Sequence, residues 1–337
     1  MKKTDEKRKF AIRTDLAIEV TEQLEKGKIR DHQEDIYKNI TIKSKEDDDF
    51  LLTHVIIKNE EGSQEIGKPI GNYITIESQK LKDNSVDCHE KIIETLSKEL
   101  QELCNLNQKD SVLITGLGNW NITPDALGPK VVSKLLVTRH LHEAVPEEVS
   151  GTLRSVAAIS PGVMGITGIE TGEIIKGLVE NLKPTILIAI DALAARRSSR
   201  INATIQMSDT GIAPGAGVGN PRMLLNEETL GIPVIAIGVP TVVDAATLVN
   251  DTMDSILEDM IEHSKGNTAF YEMLQDLQEE EKYHMITTLL DPYTENMFVT
   301  PKEVDAVIER LSSIIANGIN IALHRGITLE DIGKYMA

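Results

Sequence analysis

Two cysteines in 337 residues cannot build a disulfide scaffold. Cys88 and Cys104 stand 16 positions apart on one stretch of helical spacing, about 24 Å at roughly 1.5 Å per residue, so they cannot bridge each other. Unpaired thiols fit a reducing compartment. Cationic side chains are also scarce: 35 Lys and Arg face 53 Asp and Glu, a net charge of −18 at pH 7. That balance argues against direct contact with a nucleic-acid backbone, whose affinity comes from cations neutralising phosphates. A basic protein partner or substrate fits better. No apolar run approaches the roughly 18 residues of a membrane span, and the charged start lacks the apolar core of a signal peptide. The expectation is therefore a cytoplasmic protein without membrane contact. A Gly-x-Ser-x-Gly elbow, an internal repeat and a low-complexity tract are missing too, which removes the usual serine-hydrolase and solenoid readings.

With 41% hydrophobic residues the chain can bury a sizeable core, as one large domain or one with a subdomain. Residues 1–15 reverse the overall charge, with Lys2, Lys3, Lys7, Arg8, Lys9 and Arg13 against Asp5, Glu6 and Asp15. Residues 34–80 hold β-branched alternating stretches such as Phe50–Ile57 and Tyr73–Ile76, broken by Gly62, Gly67, Pro69 and Gly71, and read as hairpins. Val86–Cys104 has helical spacing at Ile92, Ile93, Leu96, Leu100 and Leu103. From residue 111 strands and helices alternate: strands at 112–115, 156–160 and 186–190, helices over about 125–138 and 170–182, then strands at 203–207 and 234–237 and a helix from about 242 to 263. Alternation of this kind implies right-handed crossovers and a parallel sheet. The expected fold is α/β, a three-layer α/β/α sandwich of phosphorylase/hydrolase-like type with a mostly parallel central sheet and an N-terminal β-rich part. Residues 264–300 are polar and read as an insertion, and two helices starting near Pro301 and Leu329 close the chain.

Two carboxylates stand just beyond apolar runs that read as buried strands: Asp125 in Leu117–Pro129 and Asp191 in Ile186–Leu193. The carboxyl ends of parallel strands are where open α/β sheets place ligands. Two acids held close cannot both ionise, so one can take a proton from water while the other gives one. The competing reading is that both are helix caps. Asp244 is assigned a cap or supporting role, and Trp120 packing or a cleft wall. His140 and His142 form a His-x-His pair without a third ligand of evident spacing and receive no function. Gly215, Gly217 and Gly219 resemble a phosphate cradle, but Pro221 follows, and a tight loop beside the cleft is preferred.

The runs Thr115–Pro129, Ser160–Gly168, Ile190–Arg196, Pro214–Asn220 and Gly238–Ala245 closely resemble the germination protease family of spore-forming bacteria, and the likeness covers essentially the whole chain. The resemblance implies an endopeptidase that degrades small acid-soluble proteins coating DNA in dormant spores, with Asp125 and Asp191 as the catalytic acids. It implies no metal and no cofactor, a homotetramer, and a place in the spore cytoplasm. It also relates the fold to hydrogenase-maturation endopeptidases through Gly116–Asn119, which keeps a metal-dependent peptidase as one alternative. A non-catalytic acidic module binding basic proteins is another. Family members are made as zymogens, and Asp15-Leu16-Ala17 matches the self-cleavage pattern. Residues 1–15 are then a basic propeptide and 16–337 a single peptidase domain. Cleavage between Asp15 and Leu16 would remove six basic and three acidic residues and take the net charge from −18 to −21. An acidic residue before the cut bond calls for a cationic pocket, and Arg196, Arg197 and Arg200 are the candidates, set against a solvated or subunit-pairing role.

Overall fold

The computed structural model describes residues 14–28, 38–144, 153–215, 222–263 and 297–335. Residues 1–13 of the basic leader and 264–296 of the expected polar insertion lie outside the described residues.

One nine-stranded mixed sheet runs through the described chain: β1 (Ile40–Glu46), β2 (Leu51–Ile57), β3 (Gly71–Glu77), β4 (Val112–Gly116), β5 (Val156–Ile159), β6 (Ile186–Ala195), β7 (Thr204–Ser208), β8 (Val234–Asp244) and β9 (Phe298–Val299). Its order is β1-β2-β3-β7-β8-β6-β4-β5, with β9 paired to β8. The alternating region forms the parallel half, β5-β4-β6-β8. The hairpins of residues 34–80 are not a separate part. They extend the same sheet, because β3 pairs antiparallel with β7 from Tyr73↔Ser208 to Glu77↔Thr204. The strand expected to prolong the parallel alternation, β7, runs antiparallel to β8. The chain reverses between Ala195 and Thr204, a link too short for the crossover that parallel neighbours need.

The helices are α1 (Ala17–Lys28), α2 (Glu60–Ile66), α3 (Val86–Cys104), α4 (Leu127–Val132), α5 (Arg139–Ala144), α6 (Met164–Thr167), α7 (Thr171–Leu182), α8 (Glu227–Leu230), α9 (Ala245–His263), α10 (Val304–Leu323) and α11 (Leu329–Tyr335). Side chains alternate across the strands, so each strand feeds both layers. On one face Ile114, Ile188, Ile190, Ile205 and Ile237 pack with α3 and α10. On the other face there are two separate clusters. Leu113, Leu187, Ala189 and Val234 meet Ile175 and Val179 of α7. Leu193, Ala195 and Val243 meet Leu16, Ala17 and Ile18 at the start of α1, with Ile66 of α2 and strands β1 to β3.

Among the described residues α10 is long and apolar enough to cross a membrane, but 61% of its most apolar window is buried inside the protein. Ile308, Leu311 and Ile315 are fully covered, each contributing about 1.5–3 kcal/mol by leaving water. It is a core helix. The helix expected over 125–138 is much shorter. A 3-10 turn at Thr123–Asp125 precedes α4, and beyond it Leu136 N–H donates to Asn320 of α10 and Thr138 N–H to the Val156 carbonyl. The chain there exchanges helical bonds for ties to its neighbours.

Candidate active site

Asp191 does not end its strand, as its position after an apolar run implies; β6 continues to Ala195, pairing with β8 throughout apart from a register shift at Leu193/Ala194. Period-two alternation puts Leu187, Ala189, Asp191, Leu193 and Ala195 on one face. Asp191 is the one polar member of that stripe. It stands between the α7 cluster and the α1 cluster, only 6% exposed.

Asp125 arrives by a different route. After β4, Leu117 N–H donates to the Ile190 carbonyl at 2.8 Å, so the chain leaves the sheet beside the residue preceding Asp191. Gly118 then turns with φ +106°, where a Cβ would lie 2.0 Å from the Asp125 carbonyl oxygen. Only glycine allows that closure. Asn119 N–H meets Asp125 twice, at its carbonyl (3.0 Å) and its Oδ2 (2.8 Å). From the far side Gly128 presses in so closely that a Cβ would be 2.3 Å from the Leu117 oxygen and 2.6 Å from the Ile190 oxygen. The Asp125 loop is thereby clamped to β6 by its own glycines.

Both carboxylates line one cavity of about 640 Å³. Its floor is the interrupted face of the sheet, including Gln206, Ser208, Ala236 and Gly238, and its rim includes Ile122, Pro124 and Gly215. Burial pushes Asp125 up to about 6, against the lowering effect of the Asn119 N–H. Burial raises Asp191 well above the usual carboxylate range, and the neighbouring Asp125 adds to the rise, partly offset by the Ala192 N–H. Two acids with displaced titrations are an arrangement able to donate and accept a proton. Among the described residues no histidine or cysteine lines the cavity. Among the described residues no group of three or more His, Cys, Asp or Glu is arranged to hold a metal ion.

A third acid shares the cavity. Because β4 stops opposite Ile190 while β6 runs on to Ala195, a lane beside β6 is left open, and the chain around Asp15 occupies it. Asp15 N–H donates to the Ala194 carbonyl at 3.1 Å, and Ala194 N–H donates to Asp15 Oδ2 at 2.8 Å. Burial raises the Asp15 carboxyl, while the Ala194 N–H and Lys68 draw it down. Leu16 and Ala17, just downstream, are completely buried.

A germination protease family model matches residues 17–268 and 257–336. The germination protease of Clostridium perfringens is 50% identical over 327 residues, covering 97% of this chain and 99% of the relative. The chain belongs to the germination protease family. The corresponding proteins of Clostridium tetani and Bacillus thuringiensis are 49% and 44% identical over 97% of this chain. It is thus a hydrolase of the peptidase class. Among solved structures a hydrogenase maturation protease, HycI from Thermococcus kodakarensis, covers 42% of this chain and 80% of its own at 20% identity, with a TM-score of 0.29.

The three arginines expected to form a substrate pocket stand differently in this family member. Arg200 is buried, with Nη2 2.6 Å from Glu22 and Nε 2.6 Å from Glu77, and Glu19 3.7 Å from Nη1. Arg197 also pairs with Glu22, at 3.1 Å. The backbone N–H groups of Arg196 and Arg197 donate to the Glu19 carboxylate. The charges of Arg200 and Arg197 answer acids of α1 and β3 and fasten α1 to the end of β6. Asp244 is a cap, accepting from Thr247 N–H at 3.0 Å. Trp120 is 55% exposed and outside the cavity lining, where Ile122 and Pro124 stand instead. His140 is exposed on α5 and does not line the cavity. Gly215 borders the cavity, while Gly217 and Gly219 lie outside the described residues.

Sequence reasoning missed Lys68 and Gln206. Lys68 follows Gly67, whose left-handed φ of +68° ends α2, and the turn is held by Tyr73 Oη donating to the Pro69 carbonyl at 2.9 Å. Its ammonium enters the cavity and donates to the carbonyls of Thr14 (3.1 Å) and Asp15 (3.2 Å). Gln206 rises from β7 and holds the same segment from the floor. A polar residue between Ile205 and Met207, both fully buried, is the sequence signal that could have found it.

Proposed function

We propose that this chain is an endopeptidase of two-aspartate type, made as a zymogen that cuts itself between Asp15 and Leu16 and then cuts small acid-soluble spore proteins. The observation carrying this reading is that Asp15 lines the same cavity as Asp125 and Asp191. Asp125 ionises first, since its carboxyl titrates near about 6, and it is the general base. Asp191, deeper and beside that negative charge, keeps its proton. Water oxygen attacks the carbonyl carbon and its proton passes to Asp125. The carbon–nitrogen bond then breaks, and the leaving amine takes the proton held by Asp191. No covalent acyl-enzyme forms.

Turnover then requires Asp125 ionised and Asp191 protonated. It falls as pH drops through about 6, where the base is lost, and falls again as pH rises far enough to strip the acid of its proton. The basic leader balances part of the acidic body until it is removed, and its loss strengthens the attraction of a basic substrate. A homotetramer located in the spore cytoplasm belongs to the same reading through the family resemblance, and sedimentation velocity tests the assembly.

The deciding experiment is intact-mass analysis of wild type, Asp125→Asn and Asp191→Asn during incubation with a small acid-soluble spore protein, with and without chelator. Cutting by wild type despite chelator, with both folded variants silent, is the expected result. Cutting by either variant overturns the aspartate pair, and silencing by chelator alone overturns the metal-free mechanism.

A further inference from the structure

The peptide joining Asp15 to Leu16 is held by its backbone, and by two donors in particular. Its carbonyl oxygen, the Asp15 oxygen, lies 3.2 Å from Lys68 Nζ and 3.1 Å from Gln206 Nε2. Gln206 Oε1 meanwhile accepts the Ala17 N–H at 2.8 Å. One amide side chain thus grips the backbone on both sides of this peptide, and Lys68 repeats the grip one residue upstream at the Thr14 carbonyl (3.1 Å). An ammonium and an amide converging on one carbonyl oxygen, in a largely enclosed site, form a hole for negative charge on that oxygen. Lys68 also has electrostatic partners in the Asp15 carboxyl, which accepts from the Ala194 N–H, and in Glu19. Among the described residues, Arg197 and Arg200, two further cations near this segment, are engaged by Glu22 and Glu77.

We infer that Lys68 and Gln206 are catalytic residues that stabilise the oxyanion formed on the residue preceding the cut bond, and that Lys68 also sets the preference for an acidic side chain there. The inference rests on the proposed cleavage between Asp15 and Leu16 by Asp125 and Asp191. When water adds to the carbonyl carbon, the carbonyl electron pair moves to the oxygen facing these two donors. When the bond to the leaving nitrogen breaks, the pair returns to re-form the carbonyl. The donors keep their protons throughout, so they lower the barrier without joining the proton transfers. Once residues 1–15 depart, the same two donors face an incoming chain, and self-cleavage and substrate cleavage share one hole.

The test uses full-length Lys68→Met and Gln206→Leu with Asp125→Asn as reference. Self-cleavage is followed by intact mass, steady-state kinetics use peptides carrying Asp or Asn before the cut bond, and thermal melting checks folding. Loss of one oxyanion donor lowers kcat by about 10²–10³-fold, and the expected result is that loss in each variant with KM little changed. Wild type should prefer the Asp peptide, and Lys68→Met should lose that preference while Gln206→Leu keeps it. Folded variants with kcat within threefold of wild type, while Asp125→Asn is silent, overturn this inference and leave the aspartate pair standing. An active Asp125→Asn instead removes the pair on which it rests. If Lys68→Met does not melt cooperatively, Gln206→Leu decides the hole, and Lys68→Arg, which keeps the charge, decides the preference: retained selectivity supports it and lost selectivity overturns it.

Discussion

The two halves of the sheet hold different parts of the candidate site. The parallel half supplies the acids, Asp191 from β6 and Asp125 from the loop that leaves β4. The antiparallel half supplies the grip, Gln206 from β7 and Lys68 from the turn before β3. Parallel strands end together and leave loops at one edge, where a proton-transfer pair can be assembled from adjacent strands. Antiparallel strands offer a flat, alternating floor on which a peptide can lie. The cavity sits where one pattern becomes the other, so the reacting groups and the holding groups can be perturbed separately.

The sharpest break is on the acidic side. Asp191→Asn or Asp125→Asn should lower cleavage by at least about 10³-fold, the scale of a lost general acid or base. Asp125→Asn should also melt higher than wild type at pH 7. A carboxyl raised on folding stabilises the protein fully below its unfolded value of 3.8 and loses that contribution as pH rises through about 6. At neutral pH the wild type therefore bears the cost of a buried charge that Asn lacks. Melting curves from pH 3 to 8 should show the gap between Asp125→Asn and wild type closing on the acid side.

On the gripping side Arg200→Ala should cost about 3–5 kcal/mol in urea unfolding, because it takes from Glu77 its ion-pair partner and leaves a buried vacancy beside Glu22. It should loosen α1, and hence the segment at Asp15, before it alters Asp125. A milder break returns to the acids. Gly118→Ala should cost about 1–3 kcal/mol for the strained φ and slow cleavage by roughly 10²-fold through displacement of Asp125, with KM less affected. The smallest effect is expected at a residue that does not line the cavity. Glu309, drawn down to about 2 by Lys130 and Lys134, supports stability above its ordinary 4.5 and loses that support as pH falls toward 2. Its side chain is 55% exposed, so Glu309→Gln should cost less than about 1 kcal/mol, with cleavage unchanged.

How much of this was legible in the sequence follows from the range of the signals. Asp191 was legible because a single carboxylate interrupts an apolar stretch, and Asp125 because it follows a strand exit rich in glycine. The extent of β6 was misjudged because an Asp inside a strand looks like its end; Ala192 to Ala195 continue the pairing. The parallel half showed as alternation, a local property. The antiparallel joining of β3 to β7 links residues some 130 positions apart and leaves no periodic trace. Arg197 and Arg200 hid their partners for the same reason. Their proximity to Asp191 is local, whereas Glu22 and Glu77, which engage them, come from α1 and β3. Lys68 and Gln206 belong to no motif, and only the closing of the sheet brings them to one carbonyl oxygen.

The lane beside the end of β6 that β4 leaves open has a consequence for what can enter. Residues 14–16 take a place that a further strand would otherwise hold, bonded through Asp15 to Ala194. A helix cannot lie in a slot of one strand's width, nor can a chain whose backbone groups are already engaged elsewhere. Selection at this site would begin with conformation, before any side chain is read. A protein kept coiled, folded or bound to another surface would be invisible to it, and would become a substrate when it let go.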